Sequence, residues 1–219
     1  MTPPSLKKYR SLFADRAFTN NLVLVEGVGL CPLIGGATTL KAGVTLFVCT
    51  MITLILTSLL MLTAGRKLPN ILRIPVHALC AVVLLCGEAW YINKFISTEL
   101  FASLYLYLPL LSVTTLFAYH GERTVGDFDP TAGLLDAFAS SFGFGIVICI
   151  VGAARELFAR RTLWGKPVPL SVDLPEASLP FAAFLLLGLM AALLQRGKNI
   201  AEAKSKQRDI SMTGGADHE

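Results

Sequence analysis

The most constraining feature of the sequence is an apolar segment, residues 22–39, with the sequence LVLVEGVGLCPLIGGATT. Its hydrophobicity suits a lipid bilayer, but its four glycines and Pro32 oppose a continuous helix, because glycine weakens a helix and proline lacks an N–H donor. Cys31 precedes the proline, where the helical conformation is sterically disfavoured. Broken backbone at membrane depth persists only where protein or a cavity covers it. We therefore predict an interrupted helix at the centre of a bundle, with the Cys31 thiol directed into the interior.

The composition excludes an ordinary soluble domain. Of 219 residues, 54% are hydrophobic and only 16% are charged, and the mean hydropathy is +0.63. We predict an all-α integral membrane protein with six transmembrane helices of ~20 residues each. The chain then divides into a cytoplasmic N-terminal arm, a membrane domain and a cytoplasmic C-terminal tail, at residues 1–21, 22–195 and 196–219. The predicted spans are residues 22–39, 42–64, 74–92, 100–119, 134–158 and 179–194.

The order of the spans indicates an internal repeat. Three spans precede residue 93 and three follow it, so the second half is inverted relative to the first. Each half begins with a proline-interrupted segment, around Pro32 and around Pro109. A pair of broken segments at corresponding positions is typical of a functional centre near the membrane midplane. We therefore expect two inverted three-helix repeats, with interrupted first and fourth helices.

The basic residues predict the orientation. Of the 19 Lys and Arg residues, thirteen fall on the side of the two termini and six on the other, which places both termini in the cytoplasm. The basic loop between the fifth and sixth spans opposes this orientation. The basic residues follow this rule better than they follow a nucleic-acid footprint, so we expect no nucleic-acid partner.

Cys31 is the candidate metal ligand. Thiolate suits the iron of an iron–sulfur cluster, but such a cluster usually takes four cysteines, so partner chains would have to complete it. The alternative is a packed thiol beside a structural proline. Cys80 and Cys86 lie six positions apart on a predicted helix and face different ways, which opposes a site built from those two.

Two carboxylates, Glu26 and Glu88, lie inside predicted spans, where charge is costly and often marks an ion path. Glu26 fits an interfacial position equally well, and Glu88, close to the interfacial Trp90, fits a snorkelling or hydrogen-bonded role. Arg155 and Glu156 end the fifth span, where we expect an interfacial pair. No flavin-attachment or dinucleotide fingerprint occurs, so such cofactors would belong to partners.

The chain resembles the family formed by the E subunit of the Rnf electron-transport complex and, more distantly, the D subunit of the sodium-pumping NADH:quinone oxidoreductase. The resemblance covers about residues 22–194. It rests on five motifs, the last of them followed by Thr162 and Leu163: Gly29-Leu30-Cys31-Pro32-Leu33, Arg73-Ile74-Pro75, Leu108-Pro109-Leu110, Leu135-Asp136-Ala137-Phe138 and Arg155-Glu156-Leu157.

The resemblance implies a component of the bacterial inner membrane that pairs with the homologous Rnf protein A and assembles with the B, C, D and G proteins of the complex and with membrane lipid. It implies a 2Fe–2S cluster shared by the pair, which relays electrons across the membrane in a complex that links ferredoxin and NAD to ion movement. In the family, each of the two proteins gives the cluster two cysteines, and Cys31 matches the first of them. Thr115 stands where the family has its second cysteine, and a neutral hydroxyl is a poor iron ligand.

This departure leaves three outcomes open at the cluster: a ligand other than cysteine, the approach of another thiol such as Cys80 or Cys86, or no normal cluster. Three functions stay open as well. The chain is an electron relay in an ion-translocating complex, or an ion-path subunit in which Cys31 is incidental, or a scaffold that supports its partner. A place in the related sodium-pumping NADH:quinone oxidoreductase is a further alternative.

Overall fold

The computed structural model describes residues 24–25, 27, 29–63, 69–113, 130–169 and 174–213. The predicted N-terminal arm, Glu26 and Thr115 lie outside these ranges. The described chain is mostly helical, with one short antiparallel hairpin between two helices. The α-helices are α1 (Leu30–Gly36), α2 (Leu40–Thr63), α3 (Asn70–Tyr91), α4 (Thr98–Leu104), α5 (Tyr107–Val113), α6 (Pro130–Arg160) and α7 (Pro180–Thr213). The other elements are a π-helical segment (Ile92–Ile96), the strands β1 (Thr162–Leu163) and β2 (Lys166–Pro167), and a 3₁₀ helix (Pro175–Ser178).

Four stretches of the described chain are long and apolar enough to cross a membrane: Leu40–Thr63, Ile71–Ile96, Leu134–Arg160 and Pro180–Ile200. They correspond to the predicted second, third, fifth and sixth spans. In their described parts, the first and fourth predicted spans contain short helices, α1 in the first and α4 with α5 in the fourth. A mostly helical membrane protein is therefore confirmed, and the six-span inverted repeat stays a prediction.

The two prolines do not break the helices in which they lie, contrary to the expectation for Pro32 and Pro109. Each occupies the third position of a short helix, Pro32 in α1 and Pro109 in α5. The first four N–H groups of a helix have no intrahelical partner, so a proline there removes no hydrogen bond. The break in the fourth segment lies at residues 105–106. Before α1, the turn is made by Gly27 and Gly29, whose φ angles are +68° and +77°.

Helices α2 and α6 form the centre of the molecule and run antiparallel, with glycines at their contacts. A Cβ on Gly152 would lie 2.9 Å from the Thr39 carbonyl oxygen, and one on Gly43 would lie 3.1 Å from the carbonyl oxygen of Ile148. The Phe47 ring occupies the space that a side chain on residue 145 would need. Small residues allow helices in a membrane to approach this closely. The two helices thus pack closely against each other.

The last helix is longer than the sixth predicted span, which ends at residue 194. Helix α7 continues to Thr213, well into the predicted tail. The residues beyond Arg196 are rich in Ala, Glu, Lys and Gln, which favour helix even where they are too polar for lipid. At 1.5 Å per residue, α7 is about 50 Å long, so its last turns extend beyond its apolar part.

Candidate functional site

Cys31 is the second residue of α1 and is exposed on the surface of the chain. The residues that follow it, Pro32, Leu33 and Ile34, are buried in the bundle. The expectation that the thiol points into the interior of its own chain is therefore wrong. The bulky apolar side chains of α1 take the bundle-facing side, so the thiol is left outside. There it is available to a neighbouring chain.

The two short helices α1 and α5 contact one another through glycine. A side chain on Gly35 would overlap the ring of Tyr107, and a Cβ on Gly36 would lie 3.5 Å from the Tyr107 Cβ atom. Tyr107 opens α5, and the two glycines end α1. The structure thus brings together the two proline-containing segments that the sequence pairs as the first of each half.

Arg155, on the last turns of α6, is buried and donates hydrogen bonds to carbonyl oxygens at the carboxyl end of α1. Its side chain is 1% exposed. Nη1 donates to the carbonyl oxygens of Ile34 at 2.8 Å and Ala37 at 3.0 Å. Nε and Nη2 donate to the carbonyl oxygens of Ala177 and Ser178, at the end of the 3₁₀ helix. A guanidinium suits this position because the carboxyl end of a helix carries partial negative charge and unpaired carbonyls.

Glu156 binds the other side of the break between α1 and α2. Its Oε2 accepts the backbone N–H of Leu40, the first residue of α2, at 2.8 Å. Its Oε1 accepts the Thr162 hydroxyl at 3.2 Å and the Gly165 N–H at 3.0 Å, which fixes the β1–β2 hairpin. Arg155 and Glu156, predicted as an interfacial pair, therefore bind groups on the two sides of this break. The unpaired backbone groups on either side of a broken helix were the sequence signal for these partners.

Glu88 lies on α3 and faces α2. Its Oε1 accepts a hydrogen bond from the Thr53 hydroxyl at 3.1 Å, and the Cys49 thiol lies beside the same carboxylate. Oε2 is buried and has no hydrogen-bond partner among the residues that the structure describes. Glu88 is therefore a hydrogen-bonded carboxylate within the membrane span. The companion residue Glu26 falls outside the described ranges.

The other thiols add no ligand cluster around Cys31. On α3, Cys80 is partly buried and Cys86 is exposed. Within the described ranges, no three His, Cys, Asp or Glu side chains are grouped closely enough to hold a metal ion. Cys31 is therefore an exposed thiol at the start of a short helix, outside any group of three metal-binding side chains in the described part of the chain.

Comparison with known proteins identifies the family to which this architecture belongs. Residues 9–191 match the family model described as "Rnf-Nqr subunit, membrane protein". The chain belongs to this family. The match includes α1, α5 and both members of the Arg155–Glu156 dipeptide, so the described site lies within the family region of this Rnf-Nqr protein.

Similar proteins include the E subunit of the ion-translocating oxidoreductase complex of Shewanella sp. strain ANA-3, which is 29% identical over 93% of this chain and 92% of its own length. The protein of the same name from Shewanella oneidensis is 28% identical over the same shares. That from Shewanella putrefaciens is 29% identical over 92% of this chain and 91% of the relative. The similarity to these E subunits, noted from the motifs, is thereby confirmed over nearly the whole chain.

Proposed function

We propose that this Rnf-Nqr protein is a membrane component of an ion-translocating oxidoreductase complex, in which Cys31 donates one thiolate to an iron–sulfur cluster shared with a homologous chain. The observation that carries the proposal is the exposed Cys31 thiol on a short helix whose carboxyl end is held by Arg155 and Tyr107. Such a thiol is accessible to a neighbouring chain, and Arg155 anchors the carboxyl end of the helix that carries it. Electron relay in the membrane needs both properties.

The residues fit such a cluster only as a shared one. A cluster of this kind takes four protein ligands, and the described part of this chain groups no three metal-binding side chains. Cys31 follows the left-handed Gly29 by two residues, at the start of α1. When bound, the cluster would accept and donate one electron at a time. The task of this chain would then be to fix the position of one ligand.

Helix α1 is supported in a way that suits this task. Arg155 holds its carboxyl end through two carbonyl oxygens, and Tyr107 packs on Gly35 where α5 crosses. A ligand on a supported element keeps its geometry when the charge of the metal centre changes. We therefore propose that α1 and α5 fix the position of the Cys31 ligand.

The remaining ligands would come mainly from the partner, because Thr115 stands where the resemblance implies a second cysteine of this chain. The homologous Rnf protein A is the proposed partner, with the B, C, D and G proteins completing the complex and with ferredoxin and NAD as its substrates. The proposed location is the bacterial inner membrane, with both termini in the cytoplasm. Any flavin would be bound by other chains of the complex.

A second candidate function, participation in an ion path, is favoured by Glu88. This carboxylate lies inside a membrane span, with a hydroxyl and a thiol around it and one buried oxygen that has no partner among the described residues. A carboxylate with spare acceptor capacity at this depth is suited to bind a proton or a small cation. The two functions are compatible within one complex.

The deciding experiment measures iron content and the EPR signal of the purified complex. We expect Cys31→Ser to lose most of the iron assigned to the shared cluster and to stop electron transfer. Cys149→Ser, a partly buried thiol on α6, is the matched control and should retain both. Iron content and electron transfer that persist in Cys31→Ser would exclude the relay. Loss in Cys80→Ser or Cys86→Ser would instead assign one of those thiols as the missing ligand.

A further inference from the structure

Two cavities lie one above the other along α2. The first, the polar cavity, has a volume of about 560 Å³ and is lined by charged and hydroxyl side chains that include Lys41, Glu99 and Arg160. The second, the apolar groove, has a volume of about 470 Å³ and lies between α2 and α3. Ile96 lines both, so the two cavities are adjacent. Together they form a site with a polar end and an apolar end.

The lining of α2 follows one helical stripe. Lys41 contributes to the polar cavity, and Val44, Val48 and Ile52 contribute to the apolar groove below it. Spacings of three, four and four residues place these side chains on one face of the helix. Val48 and Ile52 are exposed, so they face the surroundings of the chain and not its core. The cationic side chain of Lys41 therefore lies at one end of an exposed apolar stripe on α2.

The boundary between the two cavities coincides with the ends of three membrane spans. Lys41 is the second residue of one span, and Ile96 and Arg160 are the last residues of two others. Trp90 and Tyr91 lie near the same end of α3, as aromatic residues do where lipid headgroups begin. The polar cavity is thus at headgroup level, and the apolar groove is at acyl-chain level.

The charges of the polar cavity suit a zwitterion. Lys41 and Arg160 supply two cations, and Glu99 supplies one carboxylate. Glu156 also lines the cavity, but it already accepts three hydrogen bonds, from Leu40, Thr162 and Gly165. Its acceptor oxygens are therefore occupied by the protein backbone and the hairpin, although the carboxylate keeps its negative charge. The cations remain for an anionic group, and Glu99 remains for a cationic group.

We propose that the polar cavity and the apolar groove together bind one phospholipid with a primary-amine headgroup, such as phosphatidylethanolamine. Its phosphate pairs with Lys41 and Arg160, its ammonium pairs with Glu99, and one acyl chain lies in the apolar groove. Glu88 does not oppose the acyl chain, because its Oε1 is hydrogen-bonded to Thr53 and its Oε2 is buried. This site is independent of iron binding at Cys31.

The charge of the site is tested by native mass spectrometry of the full-length protein with added palmitoyl-oleoyl phosphatidylethanolamine. We expect Lys41→Met and Arg160→Gln each to weaken lipid binding by about five-fold. The control is Lys94→Met, at the same membrane level but 5.0 Å from the centre of the Trp90 ring and outside the cavity lining, and it should bind as the wild type does. Equal weakening by all three substitutions would overturn the assignment, because it would indicate only a general effect of charge.

Headgroup selectivity distinguishes a lipid from a free anion. The wild type should prefer phosphatidylethanolamine to phosphatidylglycerol, and Glu99→Gln should remove the preference. Inorganic phosphate should not compete, because it has no acyl chain. Competition by phosphate at lipid-like concentrations, or equal binding of the two lipids by the wild type, would contradict the proposal.

The groove is tested by filling it. Gly87 lines the groove, and a Cβ there would meet no atom within 4 Å, so Gly87→Leu occupies the space without a clash. We expect it to weaken lipid binding by about ten-fold. Gly188→Leu on α7 is the matched control, since a Cβ at residue 188 also meets no atom within 4 Å. Lipid binding that survives Gly87→Leu unchanged would exclude the groove as the acyl-chain site.

Discussion

Arg155 and Glu156 are adjacent in sequence, yet their side chains satisfy the two opposite sides of one chain break. Arg155 Nη1 donates to carbonyl oxygens at the carboxyl end of α1, and Glu156 Oε2 accepts the first N–H of α2. The positive group meets the negative end of one helix, and the negative group meets the positive end of the next. A single dipeptide on α6 therefore holds open an interruption that lipid could not stabilise.

Replacement of Arg155 tests this arrangement. We expect Arg155→Met to lower the free energy of unfolding by about 3 kcal/mol, because it leaves buried carbonyl oxygens without donors. Arg155→Lys should restore part of the loss. Thermal unfolding in detergent measures both variants. Arg160→Met, at an exposed position five residues later on the same helix, should change stability by no more than about 0.5 kcal/mol. A similar loss in both methionine variants would argue against a specific role for Arg155.

Glu156→Gln keeps the shape of the side chain but replaces one acceptor oxygen with a donor. An amide cannot accept all three hydrogen bonds that the carboxylate accepts, from Leu40, Thr162 and Gly165. We expect a loss of about 1–2 kcal/mol and faster hydrogen exchange at the Leu40 amide. Glu176→Gln, on the exposed 3₁₀ helix, is the control and should be neutral. Unchanged exchange at Leu40 would contradict the capping role.

Gly35→Ala should disturb the crossing of α1 and α5. The added methyl group overlaps the Tyr107 ring, and we expect a loss of about 2 kcal/mol, even though alanine is the better helix former. The double variant Gly35→Ala with Tyr107→Ala should recover part of the loss, because the smaller side chain makes room. A double-mutant cycle on unfolding free energies gives the coupling. Strict additivity of the two substitutions would show that the residues are not in contact.

Gly152→Ala tests the contact between α6 and the start of α2. Here the added Cβ meets the backbone carbonyl of Thr39 at 2.9 Å, and a backbone atom cannot rotate away as a side chain can. We expect a loss of about 1–3 kcal/mol that no single side-chain substitution rescues. Gly188→Ala meets no neighbour and should instead stabilise α7 by up to about 1 kcal/mol. Stabilisation by both substitutions would refute the close approach at Gly152.

Glu88→Gln removes the charge of the carboxylate and keeps its size. If Glu88 carries a proton or a cation, ion movement by the reconstituted complex should fall at least about ten-fold while iron content stays unchanged. Thr53→Val, which removes the hydroxyl donor to Glu88, should have a smaller effect on the same measurement. Ion movement that is unaffected by Glu88→Gln would remove this residue from the path.

The sequence alone determined the membrane class, the family, the importance of the segment around Cys31 and its pairing with the segment around Pro109. These follow from hydrophobic content and from local backbone chemistry, which need no tertiary contact. The sequence misjudged the prolines, because the effect of a proline depends on its position within a helix turn. In the third position it removes no hydrogen bond, and the helix begins around it.

Only the tertiary structure decided where the side chains point and what holds the break. The direction of the Cys31 thiol depends on which face of α1 the apolar side chains occupy. The partners of Arg155 lie more than 100 residues away on one side and about 20 on the other. Such contacts arise because buried polar groups must find partners wherever the packed chain brings them. Local sequence shows which groups need a partner, but three-dimensional packing selects it.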